Sequence, residues 1–303
     1  MRRILIETER LRLALLPELG AAVGGLWRRG EDGSWLPILR PTPEEPASFL
    51  DTSMYLLAPW SNRVRDGRFR FGGREHRLRI DWPREGCAIH GLVKNRAWEI
   101  LERTPVSAWF QTDSRWWAEN DEDGDEPFVD HFHIRVGYEL TDNSLAVRLE
   151  LRHVGSVTMP CGIGFHPHFA APAGTMLRCG VEARYPAEHC LPIGPPAEDE
   201  IVEHLRAGVP TEAISLDNCF IGSADGATIT GPHGGVRLSC SRSLTHTVIY
   251  APGGEKGKDF VCVEPVTMAN DGFNLLGKGW HDGVRELKPG DTLIASMNIT
   301  LID

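Results

Sequence analysis

Apolar and polar residues alternate along most of this chain, and the dominant period is two. Across residues 131–140, Phe132, Ile134, Val136, Tyr138 and Leu140 fall on one face, with His131, His133, Arg135 and Glu139 on the other. Across 144–152, Leu145, Val147, Leu149 and Leu151 face one way and Arg148, Glu150 and Arg152 the opposite way. Successive side chains of a strand point to opposite sides, so this pattern predicts half-buried β-strands. Thr141, Asp142 and Asn143 join the two runs as a hairpin turn would. The same alternation marks 10–16, 68–71, 76–80, 236–240 and 293–301. Helix signals are few: 199–207 could form two turns, and the stretch after Pro265 another. Strands packed on strands predict an all-β fold, a large antiparallel β-sandwich with few short helices.

Glycine (32 residues) and proline (21) interrupt the runs at the spacing expected of turns. There is no low-complexity linker and no repeat of fixed period, so the expectation is a single domain over residues 1–303. A formal net charge of −10 disfavours a nucleic-acid partner and an anionic membrane surface. Seven cysteines without a C-x-x-C pair read as buried free thiols of a reducing compartment. The basic start meets Glu7 before any apolar core forms, which makes a poor secretion signal. No apolar run approaches the ~20 residues of a spanning helix. The expectation is a soluble, cytoplasmic protein, with monomer and homodimer both open. The acidic stretch 119–126 lacks the spacing of an EF-hand and reads as a solvated loop.

Two segments carry the strongest chemical signal. Gly162-Ile163-Gly164-Phe165-His166-Pro167-His168-Phe169 places His166 before a proline, which holds the preceding residue extended. Phe260-Val261-Cys262-Val263-Glu264-Pro265 ends an apolar run on a carboxylate, which needs a partner or a raised pKa if buried. An imidazole and a carboxylate across one cleft would form an acid/base pair for proton transfer near neutral pH. Each has a plain structural alternative, a histidine satisfying a buried carbonyl and a strand-end salt bridge. Arg63, after Asn62 in a loop-like stretch, offers five fixed donors to hydroxyls or simply binds backbone carbonyls. His90 precedes Gly91, where a ligand or backbone can approach, and is otherwise a turn histidine. Asp217 is either a turn former or an acceptor for hydroxyls. Trp60, Trp82, Trp116 and Trp117 are candidate sugar-stacking platforms.

Taken together and in order, these motifs resemble the aldose 1-epimerase (galactose mutarotase) family, in its shorter bacterial branch. The resemblance runs from about Leu57 to the C-terminus. It rests on Asn62-Arg63 with Gly67 and Phe69, His90-Gly91 with Trp98, His166-Pro167-His168-Phe169, Leu216-Asp217, Glu264-Pro265, and Leu287-Lys288-Pro289-Gly290-Asp291. It implies an antiparallel sandwich with a cleft on a concave sheet and an isomerase that opens and recloses a free aldose ring. Glu264 would be the general base and His166 the general acid. Asn62, Arg63, His90 and Asp217 would hold the sugar, and no metal or organic cofactor would be needed.

His168 stands where the family commonly has tyrosine, and Gly86-Cys87-Ala88-Ile89 precedes His90 in place of a glycine pair and a bulky residue. Arg63, Arg65, Arg68 and Arg70 raise a hexose-6-phosphate as an alternative substrate, set against solvated strand edges. A sugar-binding regulator without turnover is a second class. A cupin-like metal enzyme is a third, prompted by His131-x-His133 and His166-x-His168.

Overall fold

A computed structural model describes residues 1–117, 128–253 and 260–302. Two large sheets dominate it. The ten-stranded sheet runs Ile4–Glu7, Leu11–Leu16, Ala22–Arg29, Met54–Leu57, Gly164–Ala170, Phe260–Val266, His246–Ala251, Leu216–Ile221, Ala183–Arg184, with Trp35–Pro37 attached to Ala22–Arg29. The nine-stranded sheet runs Glu99–Arg103, Ser107–Asp113, Phe132–Leu140, Ser144–His153, Thr292–Ile302, Gly234–Cys240, Thr228–Gly231, Met176–Arg178, Val209–Pro210. Neighbouring strands within each sheet pair antiparallel. The architecture is the all-β sandwich that the period-two pattern predicts.

The alternation of 131–140 and 144–152 becomes a hairpin in which Val136 stands opposite Leu149 and Tyr138 opposite Val147. Their apolar faces join those of Leu13, Leu56, Phe165, Phe169, Val261 and Val263 in one core between the sheets. Burying each such side chain is worth roughly 1.5–3 kcal/mol relative to leaving it in water. A smaller apolar cluster, with Tyr55, Leu57, Cys219, Val248 and Val266, lies on the other face of the ten-stranded sheet. Residues on one strand are thus divided by parity: Val261 and Val263 enter the main core, while Cys262 and Glu264 take the opposite face.

Helix Glu200–Ala207 occupies the expected stretch, with the Asp199 carboxylate accepting from the Val202 amide at 3.1 Å. A single turn, Gly272–Leu275, follows Pro265. Expected strand 76–80 is shifted to Arg74–Arg77, because the Leu78 amide turns away to donate to the Gly67 carbonyl at 2.7 Å. One helical turn, Ser114–Trp117, has no periodic signature in the sequence. All seven cysteines are free; five are buried, and Cys190 and Cys240 are half-buried. Among the described residues no helix is long and apolar enough to cross a membrane. The acidic stretch 119–126 lies outside the described residues.

Candidate active site

Strand pairing brings the two chemical segments together. Gly164–Ala170 and Phe260–Val266 are neighbours, and His168 stands directly opposite Cys262. His166 and His168 share the face that Glu264 shares with Cys262, because each pair is two residues apart on a strand. His166 Nε2 lies 3.0 Å from Glu264 Oε1, and both side chains are almost fully buried. The sequence suggests two groups facing each other across a cleft. The structure instead sets them side by side on one floor, because adjacent strands hold them on the same face.

A cavity of about 370 Å³ opens above this pair. That volume falls in the range of small-ligand sites, ~300–1,000 Å³. Of the residues expected from the sequence, Asn62, Arg63, His90, His166, Asp217 and Glu264 all line it. The ladder of Arg63–Arg65 with Cys87–Ile89, in which Arg63 faces Ile89, delivers Arg63 and His90 to one wall. Asp217 comes from Leu216–Ile221, where it faces Tyr250. The cavity also takes Arg40, Tyr55, Arg84, Glu85, Tyr250 and Phe260, which single residues in sequence do not announce. Parity could have found Tyr55 and Tyr250: Tyr55 faces His166 in register, and Tyr250 faces Cys262.

Arg63 is the hub of the polar wall. Its Nε pairs with Glu85, its Nη1 donates to Asn62 Oδ1 at 3.2 Å, and its Nη2 donates to Asp217 Oδ2 at 3.4 Å. The fork is held in one orientation by three acceptors. His90 has a left-handed φ of 60° and donates its amide to the Asn62 carbonyl at 2.8 Å. Buried Lys94 secures this turn, donating to the Ile89 and Gly91 carbonyls at 2.7 and 2.6 Å and to Asp81 Oδ2 at 2.6 Å. At Gly91 (φ 74°) an added Cβ would run into the Ala58 carbonyl. Gly91→Ala is therefore expected to lower stability by about 1–3 kcal/mol, read as a lower midpoint in chemical denaturation.

The electrostatics follow from burial. Desolvation holds the His166 imidazole down, to about 3, with the charges of Arg40 and Arg63 acting the same way. Desolvation pushes the Glu264 carboxyl well above its usual 4.5, aided by Asp217 and opposed by Arg63. His90 is held well below 6.5 by burial first and then by His166, Lys94 and Arg63. Burial therefore disfavours the charged form of each group, the Glu264 carboxylate and the His166 imidazolium. The sign is clear: His166 adds a proton only in strong acid, and Glu264 loses its own only above its ordinary range. In a pH profile of activity His166 is expected to contribute no inflection at the ordinary histidine value of 6.5. A break near that value that belongs to His166 would contradict its depressed pKa.

Four buried polar atoms of the described site residues have no hydrogen-bond partner within the protein: Trp82 Nε1, His90 Nδ1, His166 Nδ1 and Glu264 Oε2. Buried polar atoms are nearly always satisfied, so such a cluster marks a place for a polar ligand.

Residues 2–300 match the family model described as aldose 1-epimerase. The chain belongs to that family. Among aldose 1-epimerase relatives, the uncharacterized protein YphB of Escherichia coli K12 is 24% identical over 289 residues, 92% of each chain. The uncharacterized protein YihR of the same organism is 27% identical over 235 residues, 72% of this chain and 71% of that one. A galactose mutarotase-like protein from Clostridium acetobutylicum superposes with a TM-score of 0.84 at 21% identity, covering 99% of this chain and 95% of that one. That likeness is one of fold.

Several sequence expectations are corrected by this aldose 1-epimerase fold. Of Arg63, Arg65, Arg68 and Arg70, only Arg63 lines the cavity; Arg65 pairs with Asp271 at 3.5 Å, and the other two lie exposed on the Arg68–Phe71 strand. Arg68 and Arg70 are thus the solvated strand edge that stood as the alternative to a phosphate site. Of the tryptophans, Trp82 lines the cavity, but Trp60 is buried against Phe128 and Trp117 packs on Phe132. Trp116 is exposed outside it. The two histidine pairs of the cupin-like reading lie apart, and His133 is held by Gln111 at 3.0 Å.

Proposed function

We propose that this protein is an aldose 1-epimerase in activity as well as family: a mutarotase that interconverts the α and β anomers of a free aldose. The observation that carries the reading is the 3.0 Å contact between His166 Nε2 and Glu264 Oε1 on the floor of a polar cavity. The hydroxyl and ring oxygens of a hemiacetal hang on one carbon. Two proton-transfer groups held side by side match that spacing.

In this reading Glu264, as carboxylate, takes the proton of the C1 hydroxyl while His166, as imidazolium, protonates the ring oxygen. The bond from C1 to the ring oxygen breaks and the open aldehyde forms. The pair is then Glu264 carboxylic acid and neutral imidazole, the same form that burial favours in the empty site. Rotation about C1–C2 presents the other face of the carbonyl. Glu264 returns its proton to the carbonyl oxygen, and His166 takes one from the C5 hydroxyl as the ring closes. The pair therefore passes through both protonation states in each turnover, with no net gain or loss of protons. The positive charge of Arg63, which lowers the Glu264 pKa, favours the ionised carboxylate when sugar hydroxyls replace the missing hydrogen bonds.

Arg63 and Asp217 bind hydroxyls on one wall, and Asn62 orients Arg63. His90, kept neutral, donates a hydrogen bond to the oxygen that becomes the carbonyl. No step calls on a metal or organic cofactor. The whole chain acts as one domain, with the sugar as its partner. Fresh α-D-glucose, α-D-galactose and other aldoses followed by polarimetry test the reading. Relaxation faster than the buffer control is expected for at least one. A panel that relaxes no faster, with sugar binding retained, would instead make the protein a binding module.

A further inference from the structure

Beside the acid–base pair lies a set of groups that ring opening does not use. His166, His168 and Cys262 are all buried, and each brings one ligand atom within 4.8 Å of the others. The grouping comes directly from the sheet: the histidines share a face at two-residue spacing, and Cys262 stands opposite His168 on the next strand.

We infer that His166, His168 and Cys262 form a binding site for a divalent transition metal of the zinc type, and that metal bound there turns the acid–base pair off. The inhibitory half of this inference rests on the mutarotase reading; the binding half does not. Two nitrogens and a sulfur suit zinc, cobalt or cadmium and are wrong for magnesium or calcium, which take oxygens. The outer contacts are right for a metal. His168 Nδ1 lies 3.4 Å from the Ser53 carbonyl, an arrangement that puts the proton on Nδ1 and leaves the Nε2 lone pair free. His166 Nδ1 is buried without a partner. The cavity reaches both histidines, which provides the entry path.

Tetrahedral zinc bonds of ~2.0–2.3 Å set ligand atoms about 3.4 Å apart, so atoms as far as 4.8 Å apart must close by about 1.4 Å. Binding takes the Cys262 thiolate and releases one proton to solvent; the imidazoles bind neutral, and nothing is oxidised or reduced. Whichever ring nitrogen of His166 the metal takes, that imidazole can no longer both accept and donate the proton of ring opening.

The test is a Co²⁺ titration of the purified chain, followed by absorption and by polarimetry. A sulfur-to-cobalt charge-transfer band saturating at one equivalent, abolished by Zn²⁺, is expected, with mutarotation lost in parallel and restored by a chelator. Cys262→Ala should abolish the band, keep metal-free turnover, and weaken metal inhibition by more than the ~10–100-fold that loss of an outer-shell partner produces. His168→Tyr provides a second variant with the same two metal readouts if Cys262→Ala does not fold. Absence of the band in the wild type, or its persistence in Cys262→Ala, overturns the site. A band without any sugar turnover keeps the site and removes the mutarotase reading, and turnover that survives a saturated band overturns the inhibition alone.

Discussion

Glu264→Gln is expected to lower the mutarotation rate by about 10²–10⁴, the contribution of one positioned proton-transfer group. Glutamine keeps the size and one carbonyl oxygen of the side chain but can neither gain nor lose a proton near neutrality. The carboxyl is buried and desolvation already disfavours its charge, so the neutral amide should fold at least as well. Thermal unfolding is therefore expected to be unchanged or slightly improved while turnover collapses. Polarimetry and a melting curve on the same preparation separate the two effects. A variant turning over at close to the wild-type rate would remove Glu264 from the chemistry, whatever its position.

The second large effect is expected at His166. His166→Asn should also lose about 10²–10⁴ in rate, because asparagine donates a hydrogen bond but does not exchange a proton. Stacking of His166 on Tyr55 at 4.4 Å is lost too, so a small drop in stability should accompany it. The informative measurement is the double variant. Two groups that serve the same ring-opening step act as a unit, and removing both should cost little more than removing either. Strict additivity of the two losses would mean that the groups act in separate steps and that their 3.0 Å contact is incidental.

Much of the scaffold is readable in the sequence because strand alternation is a local property. Phe132 through Leu140 announce their buried face without any knowledge of their neighbours, and Asp199 announces a helix start by its own chemistry. Register across distant strands is not local. Nothing within Gly164–Ala170 says that Phe260–Val266 lies beside it, so the side-by-side placement of His166 and Glu264 cannot be read from either segment. The resemblance to a family names the pair; the ladder explains why the two touch. Arg40, Glu85 and Tyr250 escape notice for the same reason. Each is an ordinary residue until the sheet and its covering loops bring it to the cavity wall. The arginine series misleads in the opposite direction, since closeness in sequence is scattered by the turns between Arg63–Arg65 and Arg68–Phe71.

The division of each central strand into odd and even positions has a practical outcome. Met54 and Leu56 support the body of the protein, while Tyr55 between them furnishes the pocket. The same separation holds for Val261 and Val263 against Glu264. Substitutions confined to the pocket-side parity of these strands should therefore reshape the cavity wall while leaving the main core between the sheets in place.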